Sequence, residues 1–255
     1  MKAKASRTCF FRFGGDGGGV PIALDELKDA LPEGGLFGGG WKWSPEPLRL
    51  SENEATDMMA MGYPLAKFQQ ASDLLYRRSA AGKISPWLAE LLDEGKPDWM
   101  VKLQREAGVA EQFPRVIRPD LILARNHFSL TELDSVPGGM GITAWLAETY
   151  AKAGYEVLGG ADGMIEGFRS LLPDGGDVLI SEESQDYQAE MNWLTGRLGE
   201  AWRTVEAEEY EECGKDIYRF FELFDWESMP FFRQLAEKSV AGEICVTPPF
   251  KPHLE

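Results

Sequence analysis

Val116-Ile-Arg-Pro-Asp120-Leu-Ile-Leu-Ala-Arg-Asn126-His-Phe-Ser-Leu-Thr-Glu132-Leu-Asp134 reads as a β-hairpin. Two β-rich runs, Arg115 to Ala124 and Phe128 to Ser135, flank a short polar turn at Arg125-Asn126-His127. Side chains alternate faces along a strand, so Arg118, Asp120 and Ile122 share one face. Leu130, Glu132 and Asp134 share one face of the partner strand. A three-residue turn places Asp120 opposite Glu132 and gathers four charged groups on one surface, with cross-strand Cβ atoms about 5 Å apart. Carboxylates that close raise one another's pKa unless a cation joins them. Arg118 supplies one positive charge, and Mg²⁺, which takes oxygen ligands from one or two carboxylates and substrate phosphates, is a candidate for the rest. The same residues also suit a plain half-exposed sheet, with Arg118 paired to Asp120 or Glu132 on its wet face.

Strands and helices alternate after the hairpin. Pro137-Gly-Gly-Met-Gly141 leads into the helical stripe Ile142, Leu146, Tyr150 and Ala153, ended near Gly154. A glycine-rich turn before a helix exposes backbone N–H groups that suit an anion, or simply closes a loop. Tyr155 to Leu158 reads as a short strand and Met164 to Leu171 as a helix. Gly176 to Ser181 reads as a buried strand, Tyr187, Met191, Leu194 and Leu198 as a helical face, and Trp202 to Ala207 as the next strand. This alternation predicts an α/β fold with a Rossmann-like parallel sheet. Ser181-Glu182-Glu183-Ser184 falls at a strand's C-terminal end, where open α/β sheets bind ligands. Glu182 and Glu183 there cap a helix start, or bind a substrate amine.

Upstream, residues 1–110 form a glycine-rich and helical region, and residues 111–255 the α/β domain carrying the hairpin. Thr8 to Phe13 reads as an edge strand, and the glycine clusters at 14–19 and 34–40 lack the spacing of a phosphate loop. Trp41, Trp43 and Pro45 are expected to pack this segment onto a core. Leu65, Phe68, Ser72 and Leu75 follow a helical period with Pro64 in the first turn. Trp87, Leu88, Leu91 and Leu92 start a further helix after Pro86, ended by the breaker-rich stretch 93–97.

The net charge of −16 argues against a general nucleic-acid binder and against docking on anionic membranes. No apolar run is long enough for a membrane span. Cys9, Cys213 and Cys245 are unpatterned, as in a cytoplasmic protein with reduced thiols, and with His127 and His253 alone a histidine-rich metal site is excluded.

Arg118-x-Asp120, eleven intervening residues, then Glu132-x-Asp134 and Pro137 resembles a motif of the glutathionylspermidine synthase family, among the circularly permuted ATP-grasp carboxylate–amine ligases. Asp216-Ile-Tyr-Arg219-Phe-Phe is similar to a later strand of these ligases. The resemblance runs from about Pro114 onward. It implies a pre-ATP-grasp fold, with Asp120, Glu132 and Asp134 as Mg²⁺ ligands on ATP and Arg118 facing the transferred phosphoryl group. Asp134 stands where the family carries Asn. Ser135, Glu182 and Glu183 are the candidate substrate-binding residues, for small carboxylate and amine substrates. The family's nucleotide-gripping lysines lie downstream of such a hairpin, so the expectation is either part of an ATP-dependent ligase or a binding module that kept the fold without the clamp.

Overall fold

The computed structural model describes residues 18–124, 127–211 and 214–255. The expected strand Thr8–Phe13, Cys9, Cys213 and the turn residues Arg125 and Asn126 lie outside them.

Four parallel strands organise the second half of the chain: β3 (Gly176–Ile180), β4 (Trp202–Glu206), β5 (Ile217–Phe220) and β6 (Val246–Thr247), in the spatial order β4-β3-β5-β6. Every residue of β3 is buried, as a parallel strand covered on both faces must be. Val178 and Ile180 join Tyr218 and Phe220 of β5 in one core with α7 (Met140–Lys152), α8 (Gly163–Arg169) and α9 (Gln188–Leu198). Leu179 and Ile217 face the opposite way, into a second core with α10 (Phe232–Ala241) and Met100. Period-two alternation thus divides one sheet between two cores. Gly175 turns the chain into β3 at φ 87°, and a Cβ there would stand 2.5 Å from the Ala201 carbonyl oxygen. The molecule is a mixed α/β protein.

Ahead of the sheet lie α1 (Leu24–Asp29), α2 (Glu52–Ala60), α3 (Gly62–Ala80), α4 (Trp87–Asp93), α5 (Asp98–Gln104) and α6 (Ala107–Ala110), then the hairpin β1 (Arg118–Leu123) and β2 (Phe128–Asp134). A capping box starts α2: the Ser51 hydroxyl accepts the Glu54 N–H, and the Ser51 N–H donates to Glu54 Oε2 at 2.6 Å. Pro64 sits in the first turn of α3, as expected.

Its buried face is another matter. Phe68 and Leu75 are more than half exposed, whereas Gln69, Asp73, Tyr76 and Ser79 are buried. The reason is the C-terminal segment, which lays the Lys251 ammonium and the His253 imidazole against that face. Lys251 Nζ and His253 Nε2 each stand 3.0 Å from Asp73 Oδ1, and the imidazole stacks on Tyr76 at 4.0 Å between ring centres. His253 Nδ1 meets Gln104 Oε1 at 2.8 Å. A polar face with charged partners buries in preference to an apolar face with none.

Trp43 and Phe37 pack edge-on against Trp145 of α7, but Trp41 is 52% exposed and donates its indole N–H to the Leu36 carbonyl. Tyr155 to Leu158 form no strand. Tyr155 instead covers the end of α7, with its ring perpendicular to Tyr150 and against Gly19. Among the described residues no helix is long and apolar enough to cross a membrane.

Candidate functional site

The hairpin pairs antiparallel, with Arg118 opposite Asp134 and Asp120 opposite Glu132. It reaches that register by a different route from a three-residue turn. Leu123 pairs with Phe128, so the loop spans four residues, closed by the Ala124 N–H donating to the His127 carbonyl at 2.9 Å. A β-bulge at Thr131 then restores the alignment, with Leu121 opposite Leu130 on one side and Asp120 opposite Glu132 on the other. The Thr131 hydroxyl holds it by donating to the Asp120 carbonyl at 3.0 Å. Leu130 consequently faces Leu121 rather than Ile122.

Arg118 is the centre of the charged cluster. Its Nη2 lies 3.0 Å from Asp134 Oδ2, its Nε 3.4 Å from Asp120 Oδ1, and its Nη1 donates to the Gly138 carbonyl at 3.3 Å. Asp134 Oδ1 accepts the Val136 N–H at 2.8 Å, so both oxygens of this carboxylate are engaged. Glu132 is exposed and pairs with no described side chain. Among the described residues no three His, Cys, Asp or Glu side chains form a group fit to hold a metal ion. The three expected ligands share a ladder without converging into a metal cage.

Arg118 and Asp134 nevertheless line a cavity of about 130 Å³, together with Val136, Gly138, Ser184, Tyr187, Phe220, Phe221 and Glu222. Ser184 and Tyr187 follow β3, and Phe221 and Glu222 follow β5. The chain runs outward from β3 to β4, then returns past β3 to β5, so its direction reverses between β3 and β5. Beyond the carboxyl ends of two such strands the connecting loops part and leave a crevice for ligands. The hairpin forms the other wall of that crevice. Glu222, which sequence reasoning passed over, has a raised pKa: burial leads, Arg219 opposes it, and the carboxylates of Asp134 and Asp225 add to it.

Beside this cavity a wider pocket of about 590 Å³ is lined by Glu182, Glu183, Glu208, Asp225 and Glu227, with Phe224 and Ser228. Glu182 and Glu183 open a short 3-10 turn, where the Glu182 N–H donates to Glu208 Oε1 at 3.0 Å. Burial raises the Asp225 pKa; a bond from Ser181 opposes the rise, and Glu183 and Glu208 reinforce it.

Two other expected positions are occupied from within. Ser135 is buried, accepting from Gln69 Nε2 and donating to the Leu254 carbonyl, both at 3.0 Å. Its hydroxyl ties α3 to the C-terminal segment. At the glycine-rich turn, the N–H groups of Gly139 and Ile142 donate to the two Glu190 carboxylate oxygens at 2.6 and 2.9 Å. The anion at this helix start is a side chain of α9. A Cβ on Gly141 would come within 2.2 Å of the Glu190 carbonyl oxygen, so glycine there permits the close approach.

No family model, curated protein or solved structure matches this chain.

Proposed function

We propose that the crevice at the carboxyl edge of the sheet is the substrate platform of an ATP-dependent carboxylate–amine ligase resembling glutathionylspermidine synthase. In that reading residues 111–255 are a Rossmann-like, pre-ATP-grasp domain. The observation that carries it is the shared cavity: Arg118 and Asp134 of the motif face residues that directly follow β3 and β5. ATP would phosphorylate a small carboxylic acid, and an amine would displace the phosphate to leave an amide. The acidic pocket containing Glu182 and Glu183 supports entry of the amine, because five carboxylates with no cation among the described lining residues favour a positively charged ligand. Arg118 would turn toward the transferred phosphoryl group, the role the resemblance gives it. Mg²⁺ would arrive on the nucleotide phosphates, with Glu132, which pairs with no described side chain, and Asp120, more loosely held by Arg118 than Asp134 is, as the carboxylates open to it. The acidic charge and the absence of a cysteine pattern support cytoplasmic work on small molecules rather than nucleic acid or membrane.

A second reading, a non-catalytic binding module, is favoured by the size of the cavity. About 130 Å³ falls below the roughly 300–1,000 Å³ that buries a drug-sized ligand, and a nucleotide needs more. The two readings separate on phosphate release from ATP by the 255-residue chain, screened against pools of carboxylic acids and amines. Release that requires both an acid and an amine supports the ligase. Ligand binding with no release under any combination supports the module.

A further inference from the structure

The cavity between hairpin and sheet has an unequal supply of hydrogen-bonding groups. Its one cation among the described residues, Arg118, already serves Asp134, Asp120 and the Gly138 carbonyl. Its second carboxylate, Glu222, has no hydrogen-bond or ion-pair partner among the described residues, and the hydroxyls of Ser184 and Tyr187 are likewise unpartnered there. With Arg118 and Asp134 balancing one another, Glu222 leaves the lining with one uncompensated negative charge. Arg219 lies behind it, but that guanidinium is fully buried and bound to Glu255 and to the Pro248 and Phe221 carbonyls. The open groups are therefore an anionic acceptor and two hydroxyls, in a lining that also includes Phe220 and Phe221.

We propose that Glu222 anchors the cationic nitrogen of a ligand in this cavity, a primary ammonium on a short alkyl stem. An ammonium supplies three N–H donors and no acceptor, which complements one free carboxylate flanked by two hydroxyl oxygens. The bond is charge-assisted, and a half-buried carboxylate with raised pKa gains most from such a partner. The stem lies on Phe220 and Val136, and the volume limits it to a few heavy atoms. A carboxylate or phosphate head meets the opposite situation, because it would face Glu222 and Asp134 and would have to displace Arg118 from its internal contacts. This inference rests on the cavity being a substrate compartment and deepens the ligase reading by placing the amine at Glu222, beside the motif arginine.

The test uses n-propylammonium chloride, sodium butyrate and inorganic phosphate as probes of the whole chain, followed by backbone amide shifts. Propylammonium is expected to move the resonances of Ser184, Tyr187 and Glu222 saturably, with a Kd in the millimolar range. Glu222→Gln, nearly isosteric, should weaken that binding about tenfold or more, and the removal of a distant exposed charge in Glu200→Gln should leave it unchanged. The amide spectrum itself reports whether each variant is folded. Equal affinity in Glu222→Gln, saturable binding of butyrate or phosphate in place of the amine, or no saturable shift with propylammonium each overturns the proposal. Propylammonium bound at Glu222 without phosphate release from ATP sinks the ligase reading alone. ATP-dependent turnover that Glu222→Gln leaves intact sinks this inference alone.

Discussion

The Glu190 carboxylate accepts the N–H groups of Gly139 and Ile142 at 2.6 and 2.9 Å, so the start of α7 is capped by a side chain of α9, two helices further on. Burial raises the Glu190 pKa, while the N–H groups of Ile142, Gly139 and Gly141 oppose that rise. Glu190→Gln replaces one accepting oxygen with an NH₂ group that faces another donor. Hydrogen bonds to charged groups contribute about 1.5–3 kcal/mol, so the variant should lose on the order of 2 kcal/mol in urea unfolding. Because the cap is internal, millimolar sulfate or phosphate should leave the Gly139 and Ile142 amide resonances of the wild type unmoved. Saturable movement there would show that the turn takes external anions after all.

Asp73 joins α3 to the C-terminal segment. Burial pushes its pKa up, but His253, Lys251 and Arg77 outweigh burial and hold it at about 2. A carboxylate depressed in the folded state adds stability above its unfolded pKa and loses it as pH falls through the folded value. Its contribution should fade between roughly pH 4 and pH 2. Asp73→Asn leaves Lys251, 1% exposed, without its counter-ion. Removing one partner of a buried pair costs about 3–5 kcal/mol, and the variant should melt well below the wild type. A melting temperature within a degree or two of wild type would show that the C-terminal segment docks without this pair.

The hairpin offers a test of register. The four-residue loop and the extra residue Thr131 cancel, which is why Asp120 still meets Glu132. Deleting Thr131 removes the bulge and leaves a regular ladder running from Leu123 and Phe128 to the same pair. Cross-strand contacts between the α-protons of Asp120 and Glu132 should persist in the NMR spectrum of the deletion variant. Their loss would mean that the bulge, rather than the loop, fixes the pairing.

These cases show what was legible in the sequence and what was not. The hairpin and the strand around Val178 were readable because strict alternation and a short apolar run between turns are local signals. The route to the register was not, since a longer loop and a compensating bulge leave the pairing of Asp120 and Glu132 unchanged. On α3 the stripe through Phe68 and Leu75 gave the helix correctly and its buried face wrongly. The residues that bury Asp73, Lys251 and His253, lie about 180 residues away in sequence, beyond the reach of any periodicity. Glu190 and Glu222 belong to no motif, and only the folded sheet brings them to the glycine turn and the crevice. A weak cue existed for Glu222, an acidic residue just past a buried strand, where ligand-binding residues of open α/β sheets collect.

Glu255 predicts a pH profile. Burial, reinforced by Glu222 and opposed by Arg219, pushes its carboxyl up to about 7 from an ordinary 4.5. Between those values the folded chain holds a proton that the unfolded chain releases. Stability should therefore be fully present at pH 4.5 and fall as pH rises toward 7, by about 3 kcal/mol at most for a shift of this size. Glu255→Gln mimics the protonated form and should flatten the difference in unfolding free energy between pH 5 and pH 8. An unchanged slope would assign it to other groups.

Arg118→Lys separates ion pairing from ligand chemistry. In the structure the guanidinium serves Asp134, Asp120 and the Gly138 carbonyl, and its contacts are part-exposed. Exposed ion pairs contribute about 0–1 kcal/mol, and a lysine retains the charge, so the melting temperature should barely move. A lysine cannot reproduce the planar fork that spans several acceptors or grips a phosphoryl group through two N–H donors. If Arg118 stabilises charge on the transferred phosphoryl group, ATP-dependent ligation should fall by on the order of 10²-fold, the scale of losing one preorganised donor. Measuring turnover and melting on the same preparation decides between the roles. Turnover within a few-fold of wild type would leave Arg118 as the ion-pair partner that fastens Asp134 to the mouth of the cavity, and would favour the binding module over the ligase.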